Sequence, residues 1–253
     1  LGVMRTRLLP GLVDALARNV ARQQAQVRLF ELGKTFRAAG ADREAPVETL
    51  CVAGVACGDA AREQWGVAAR QVDFHDLKGD LESLGALCGA ALEFRPAGQP
   101  WAHPGRSAEV LRDGIPIGWI GELHPRLRRA LDLDPVVVAF ELELEPLLRR
   151  PLPRASALSK YPSVRRDLAF ILPESVTWSA VRDSVEAAAG AILRELKLFD
   201  RYQGKGVESG CKSLAMGLIL QEQSRTLTDG EVDAAIAAVT TTLQHEHDAA
   251  IRG

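Results

Sequence analysis

A chain of 253 residues that is 47% apolar and 25% charged has the composition of a soluble globular protein, with material for one large core or two ordinary ones. Its formal net charge of −2 argues against a nucleic-acid binder that relies on a broad basic field, and no apolar run approaches the ~20 residues of a membrane span, so no membrane partner is expected. The four cysteines, Cys51, Cys57, Cys88 and Cys211, lack CxxC spacing and sit in apolar segments, as reduced core residues of a cytoplasmic protein do, rather than disulfides or zinc ligands.

The opening Leu1-Gly2-Val3-Met4-Arg5 is neither a signal peptide nor a natural start, and is expected to lie inside a longer chain. Leu9, Leu12, Leu16 and Val20 then mark a helix whose later turns carry Arg18 and Arg22, the favourable sign at a C-terminus. Strands are predicted over Val27–Phe36 and Leu50–Gly58, the second apolar on both faces. Asp73 caps a helix through Ala90, with Phe74, Leu77, Leu81, Leu84 and Cys88 as its stripe. Ala108–Leu123 is a hairpin turning at Asp113-Gly114, Pro125 opens a short helix, and Val136–Leu144 is a last strand. Helices interspersed among strands without regular βαβα alternation make residues 1–150 an α+β unit. Proline, basic and small residues over 151–159 form a linker.

Residues 160–253 contain a complete small domain. Arg165–Leu172 alternates as a half-buried strand with Leu168, Phe170 and Leu172 on one face. Trp178, Val181, Val185, Ala188 and Ile192 make an amphipathic helix, and Leu193–Tyr202 returns to strand. After a Gly-rich loop Ser213–Leu220 alternates again; Thr228–Leu243 is a helix opened by a Thr228/Glu231 capping box, and Ala249–Ile251 supplies a short strand. This is the ferredoxin-like βαββαβ order, which covers one sheet face with helices and leaves the other bare for binding. The domain carries 11 basic and 13 acidic residues; 9 of the basic ones lie in 160–212, so RNA contacts are expected on the first three elements.

These residues also carry a family resemblance. In order along the chain stand Val3-Met4-Arg5-Thr6, Leu9-Pro10-Gly11-Leu12, Arg28-Leu29-Phe30-Glu31-Leu32-Gly33, Asp76-Leu77-Lys78-Gly79-Asp80, His103-Pro104-Gly105-Arg106-Ser107-Ala108 and Gly118–Pro125. There follow Tyr161-Pro162, Arg166-Asp167-Leu168-Ala169, Phe199–Gly206, Lys212–Ala215 and Arg225–Thr228. Nearly the whole chain thus resembles the C-terminal part of the bacterial phenylalanyl-tRNA synthetase β subunit family. The resemblance implies that residues 1–150 are a class II synthetase-like antiparallel core without catalytic residues. It implies that this core scaffolds a catalytic α subunit in a heterotetramer of two α and two β chains, and that 160–253 is a ferredoxin-fold domain binding the anticodon of phenylalanine tRNA. ATP and magnesium would serve the full enzyme, with no cofactor bound by this chain; the family's editing, metal-bearing and N-terminal tRNA-binding modules would lie upstream. Arg28 and Glu31 are similar to the Arg/Glu strand motif of class II enzymes, but no Gly-rich segment ending in an ATP-contacting arginine follows.

The bare sheet face gives the candidate site. Arg165, Asp167, Ala169 and Ile171 have outward parity in the first strand, as do Ser213, Ala215 and Gly217 in the third. Ala169 and Ser213 are small enough for a flat base, Asp200 can accept from the Watson–Crick edge of guanine, and Tyr202 can stack. By resemblance Ala169, Asp200, Tyr202 and Ser213 bind the first anticodon base. Simple alternation with Leu196 and Leu198 would bury Asp200 and Tyr202, so a bulge or strand end near Phe199 is required. Lys205, Arg201 and Lys212 are candidate phosphate contacts, and Arg166 with Asp167 a candidate structural ion pair. The Gly204–Gly210 loop joins two strands and lacks the helix that a dinucleotide cradle needs. His103 and His124 precede prolines and suit turns or caps, while His245 and His247 suit a solvated helix end, so no metal site is expected. The reading from a different class is a ferredoxin-like regulatory module that binds a small effector, attached to an inactive core.

Overall fold

The computed structural model describes residues 3–39, 45–150, 152 and 159–252. The expected linker at 151–159 therefore lies outside the described residues, apart from Leu152 and Ser159. The chain divides into two compact units, Leu1–Pro153 and Arg154–Gly253.

The first unit is built on a six-stranded antiparallel sheet of β1 (Gln26–Arg37), β2 (Val47–Gly58), β3 (Leu92–Pro96), β4 (Ala102–Arg112), β5 (Ile115–Leu123) and β6 (Val137–Glu143), in the order β1-β2-β6-β5-β4-β3. Strand β2 is buried on both sides from Cys51 onward, because helices cover both faces. Its Cys51, Ala53, Val55 and Cys57 meet Leu9, Leu12, Val13 and Leu16 of α1 (Leu9–Ala21). Its Val52 and Ala56 meet Leu77 and Leu81 of α2 (Phe74–Leu87) and Leu147 of α4 (Leu144–Leu148). Each such leucine or valine contributes roughly 1.5–3 kcal/mol by leaving water. Asp113 and Gly114, at φ 52° and 74°, form the hairpin turn between β4 and β5.

Strand β3 and helix α4 depart from the sequence reading. β3 alternates Leu92 and Phe94 with Glu93 and Arg95 over only five residues ending at Pro96, too few to show a period; as an edge strand it needs only one partner, and it takes β4. The strand expected to run through Leu144 stops at Glu143, and Leu144 starts α4 with Pro146 tolerated in its first turn. Buried Arg112 holds α4 in place by donating to Pro146 O (2.5 Å), Leu147 O (2.7 Å) and Arg149 O, carbonyls in and just after its last turn. At the opposite polarity, buried Glu141 accepts from Leu8 N (3.0 Å) and Leu9 N (3.2 Å), capping α1 where Leu8 has no side chain to do so.

Helix α2 has the expected Asp73 cap, completed by Asp76 into a capping box. Arg70 grips Asp76 at 2.7 and 2.6 Å, and with the Asp73 backbone N–H holds its carboxyl down at about 2. The folded value lies below the ordinary 3.8, so this stabilisation is present above about pH 4 and is lost as pH falls through about 2. The urea-unfolding gap between the parent chain and Asp76→Asn is expected to narrow from pH 4 to pH 2; a constant gap would contradict this assignment.

The second unit runs β7 (Val164–Pro173), α5 (Trp178–Ala189), β8 (Leu193–Tyr202), β9 (Cys211–Leu220), α6 (Asp229–His247) and β10 (Ala250–Ile251), with antiparallel sheet order β10-β7-β9-β8. Phe170, Leu172, Leu214, Met216, Leu218 and Leu220 point to one side and pack with Val181 and Val185 of α5 and Val232, Val239 and Leu243 of α6. Helix α5 ends at Ala189, three residues before Ile192, because Gly190 turns to φ 63° and a 3-10 turn follows. Thr228 and Glu231 form the predicted capping box, and Arg225 pairs with Glu231, which holds that carboxyl well below the usual range. Among the described residues no helix is long and apolar enough to cross a membrane.

Candidate nucleic-acid interface

Directly paired residues of an antiparallel sheet point to the same side, so register assigns the open face of the second unit. Asp167, Gly217 and Lys197 form one row, Ala169, Ala215 and Asp200 the next, and Ile171, Ser213 and Tyr202 the third. Between Leu198, opposite Met216, and Asp200, opposite Ala215, strand β8 carries one residue more than β9. That bulge changes the phase of the strand: Leu196 and Leu198 pack into the core, whereas Asp200 and Tyr202 emerge on the open face. Ala169, Asp200, Tyr202 and Ser213 are thereby brought together in two adjacent rows.

Neighbouring groups fix this patch. Tyr202 Oη donates to Lys205 O (3.3 Å), folding the loop back, and Gly206 and Gly210 permit the path with φ of 90° and 82°. Arg252 continues the edge beyond β10 by donating its N–H to Ala169 O (2.8 Å), and its guanidinium carbon stands 5.3 Å from the Tyr202 ring centroid. Ser213 is buried within this patch and Ala169 half-buried, while Asp200 and Tyr202 are exposed.

The three predicted phosphate contacts do not stand together. Lys205 lies on the exposed loop. Lys212 has the parity of Leu214 and is buried on the helix side, where its ammonium donates to Glu174 O (2.9 Å) and Val176 O (2.5 Å) and burial pushes its pKa down. Arg201, opposite Leu214, is engaged by Glu174 (3.3 Å) and Gln203 (2.9 Å). The ion pair on the face joins Arg165, not Arg166, to Asp167 at 2.8 Å, since adjacent residues 166 and 167 point to opposite sides. Sequence reasoning gave no role to Arg252 or to Phe199, the extra residue of the bulge.

The first unit has an apolar cleft of about 530 Å³ lined by Leu29, Phe30, Val52, Leu77, Leu81 and Phe140 beside Arg28. Arg28 is paired with Asp80 (3.2 Å) and Glu31 with Arg5 (2.5 Å), and Gly33 leaves the space that Arg5 fills. An apolar cleft whose arginine is already paired does not fit a triphosphate. His103 lies not in a turn but in β4, at the irregularity between Ala102 and Ser107, where it accepts from Gly105 N (3.1 Å), and His124 accepts from Arg126 N (3.1 Å) as the cap of the short helix α3 (Pro125–Ala130). His247 approaches Ser184 (2.9 Å), and among the described residues no His, Cys, Asp or Glu cluster is placed to hold a metal ion.

A family model described as the phenylalanyl tRNA synthetase beta chain CLM domain matches residues 1–144. The chain belongs to the phenylalanyl-tRNA synthetase beta chain family. A second model, the ferredoxin-fold anticodon binding domain, matches residues 159–252, so the second unit of this synthetase beta chain is a domain of that fold. The chain is 62% identical over 253 residues to the phenylalanine–tRNA ligase beta subunit of Xanthomonas campestris pv. campestris (strain 8004), covering 100% of itself and 32% of that protein. It is 61% identical over 252 residues to the beta subunit of Xanthomonas axonopodis pv. citri (strain 306), and 58% identical over 252 to that of Xylella fastidiosa (strain Temecula1 / ATCC 700964), again with 100% and 32% coverage. The chain thus spans about a third of the length of these synthetase beta subunits. Neither family match supports the small-effector module.

Proposed function

We propose that this chain serves phenylalanine–tRNA ligase as a non-catalytic scaffold joined to a reader of the phenylalanine anticodon. The observation that carries the reading is the register of β7, β9 and β8, which sets Ala169, Asp200, Tyr202 and Ser213 side by side on the open face. Small residues there leave room for an unpaired base, the Asp200 carboxylate accepts from the N–H edge of guanine, and Tyr202 stacks on the ring. Lys205 approaches a phosphate from the loop. Residues 1–150, in this reading, are a class II synthetase-like pseudo-catalytic core that packs on a catalytic α subunit in a heterotetramer of two α and two β chains. Residues 151–159 link it to the anticodon-binding domain at 160–253. ATP and magnesium act at the α subunit, in the cytoplasm.

Two measurements check the proposal. Filter-binding titration of the chain is expected to give saturable binding of phenylalanine tRNA and none of free phenylalanine; the reverse preference would overturn it. The purified chain is also expected to give no phenylalanine-dependent ATP–pyrophosphate exchange above a no-protein control, because no Gly-rich segment ending in an ATP-contacting arginine follows Arg28 and Glu31. Exchange above the control would contradict the scaffold role.

A further inference from the structure

Between the pairs Ala102–Leu123 and Ser107–Gly121, the stretch His103 to Arg106 of β4 stands opposite the single residue Glu122 of β5. This is a large bulge, and local contacts hold it in shape. Pro104 has no N–H to give to a ladder, Gly105 N donates to His103 Nδ1 (3.1 Å), and Ser107 Oγ donates to Ala97 O (2.6 Å). Gly121 gives Ser107 its room, since a Cβ there would stand 2.7 Å from the serine Cβ. The bulge delivers Arg106 to a pocket of about 620 Å³ whose walls include Phe74, Phe94, Pro96 and Ala108. Arg106 Nη1 donates to both oxygens of buried Glu122, at 3.0 and 3.1 Å. Among the described residues Nε and Nη2, the side-on fork of the guanidinium, have no acceptor, and the side chain is 60% exposed. A guanidinium held from behind by a buried carboxylate is oriented in advance for a second one in front.

We propose that this pocket binds a small organic carboxylate, with its carboxyl group on the Arg106 fork and its aromatic or aliphatic body against Phe74 and Phe94. The site belongs to the first unit and does not depend on the anticodon reading. The walls select the body: they are aromatic and aliphatic, and the volume is that of a small-molecule site rather than of a flat protein contact. The charges select the head. Glu122 offsets Arg106, Glu82 pairs with Lys78 and Asp73 caps α2, so the pocket suits one negative charge rather than a phosphate dianion. An α-amino acid is disfavoured because its ammonium finds no free carboxylate. Both oxygens of Glu122 accept from Nη1, and Asp73 accepts from His75 N (2.8 Å) and Asp76 N (3.2 Å). The Lys78 ammonium, 4.7 Å from the Phe94 ring centroid, repels a second cation there.

The test titrates the whole chain with 3-phenylpropionate, and with its uncharged amide, by isothermal calorimetry. The acid is expected to bind saturably with a Kd of about 1 mM or tighter, and the amide about tenfold more weakly. Arg106→Lys keeps a charge beside Glu122 but has no fork, and should weaken the acid about tenfold while leaving the amide unchanged. Arg106→Gln combined with Glu122→Gln removes both charges without leaving either one alone, and should abolish the preference for acid over amide. These ratios report the head group and would not move if Arg106 merely supported the fold. No saturable binding of the acid below about 10 mM, or one acid-to-amide ratio shared by the parent and both variants, would overturn the site. So would tighter binding of phenyl phosphate or of phenylalanine than of the acid, since the first calls for a second cation and the other for a free carboxylate.

Discussion

Replacing Phe170 by alanine is expected to cost the second unit about 3–5 kcal/mol, the range for emptying a fully buried aromatic site. Phe170 has 0% exposure and heads the largest fully buried side chains. It stands opposite Leu214 on one side and Ile251 on the other, so the cavity would open between β9 and β10 where β7 has to hold both. Small domains have only about 5–15 kcal/mol in total, and the loss is large on that scale. The functional consequence is indirect: Ala169 precedes Phe170 on the strand, and its carbonyl holds Arg252. RNA binding should fall together with the urea midpoint of the unit, followed by circular dichroism. A loss below about 1 kcal/mol would mean that this side chain is not the centre of the core.

The sequence was legible where one residue type has one physical reason to be there. Thr228 and Glu231, Asp73, and Asp113-Gly114 mark a cap, a cap and a turn because few other residues satisfy the same backbone. The open face followed from alternation in β7 and β9, and the bulge at Phe199 followed from a conflict: the chemistry of Asp200 and Tyr202 and the periodicity of Leu196 and Leu198 cannot both hold on an unbroken strand. Edge strand β3 and α4 were hidden because their apolar pattern is too short to have a period. Glu141, Arg112 and Lys212 were hidden for a different reason. Each is a charged residue whose partners are backbone groups distant in sequence, and nothing local distinguishes it from a solvated side chain. Lys212 shows the consequence, since its charge suggested phosphate while its parity placed it under the helices. Phe199 was taken only as the place for a bulge, although a bulge residue is also a side chain delivered to a face.

Asp200→Ala is the second substitution with a large expected effect, about 1–3 kcal/mol in binding of phenylalanine tRNA. The carboxylate is exposed in the free protein and has no protein partner to lose among the hydrogen bonds of the described residues, so its removal should leave stability nearly unchanged. The loss should be greatest for the cognate guanine and small for RNAs already altered there, which have no matching donors. Tyr202→Ala should cost a similar amount with weaker dependence on base identity, because stacking does not read the edge. Lys205→Ala should weaken all tRNAs about equally and lower the salt dependence. The decisive measurement is a double-mutant cycle between Asp200→Ala and replacement of the guanine at the first anticodon position, followed by tRNA binding. Direct reading of that base predicts a coupling energy of about 1–3 kcal/mol; strictly additive effects would contradict it.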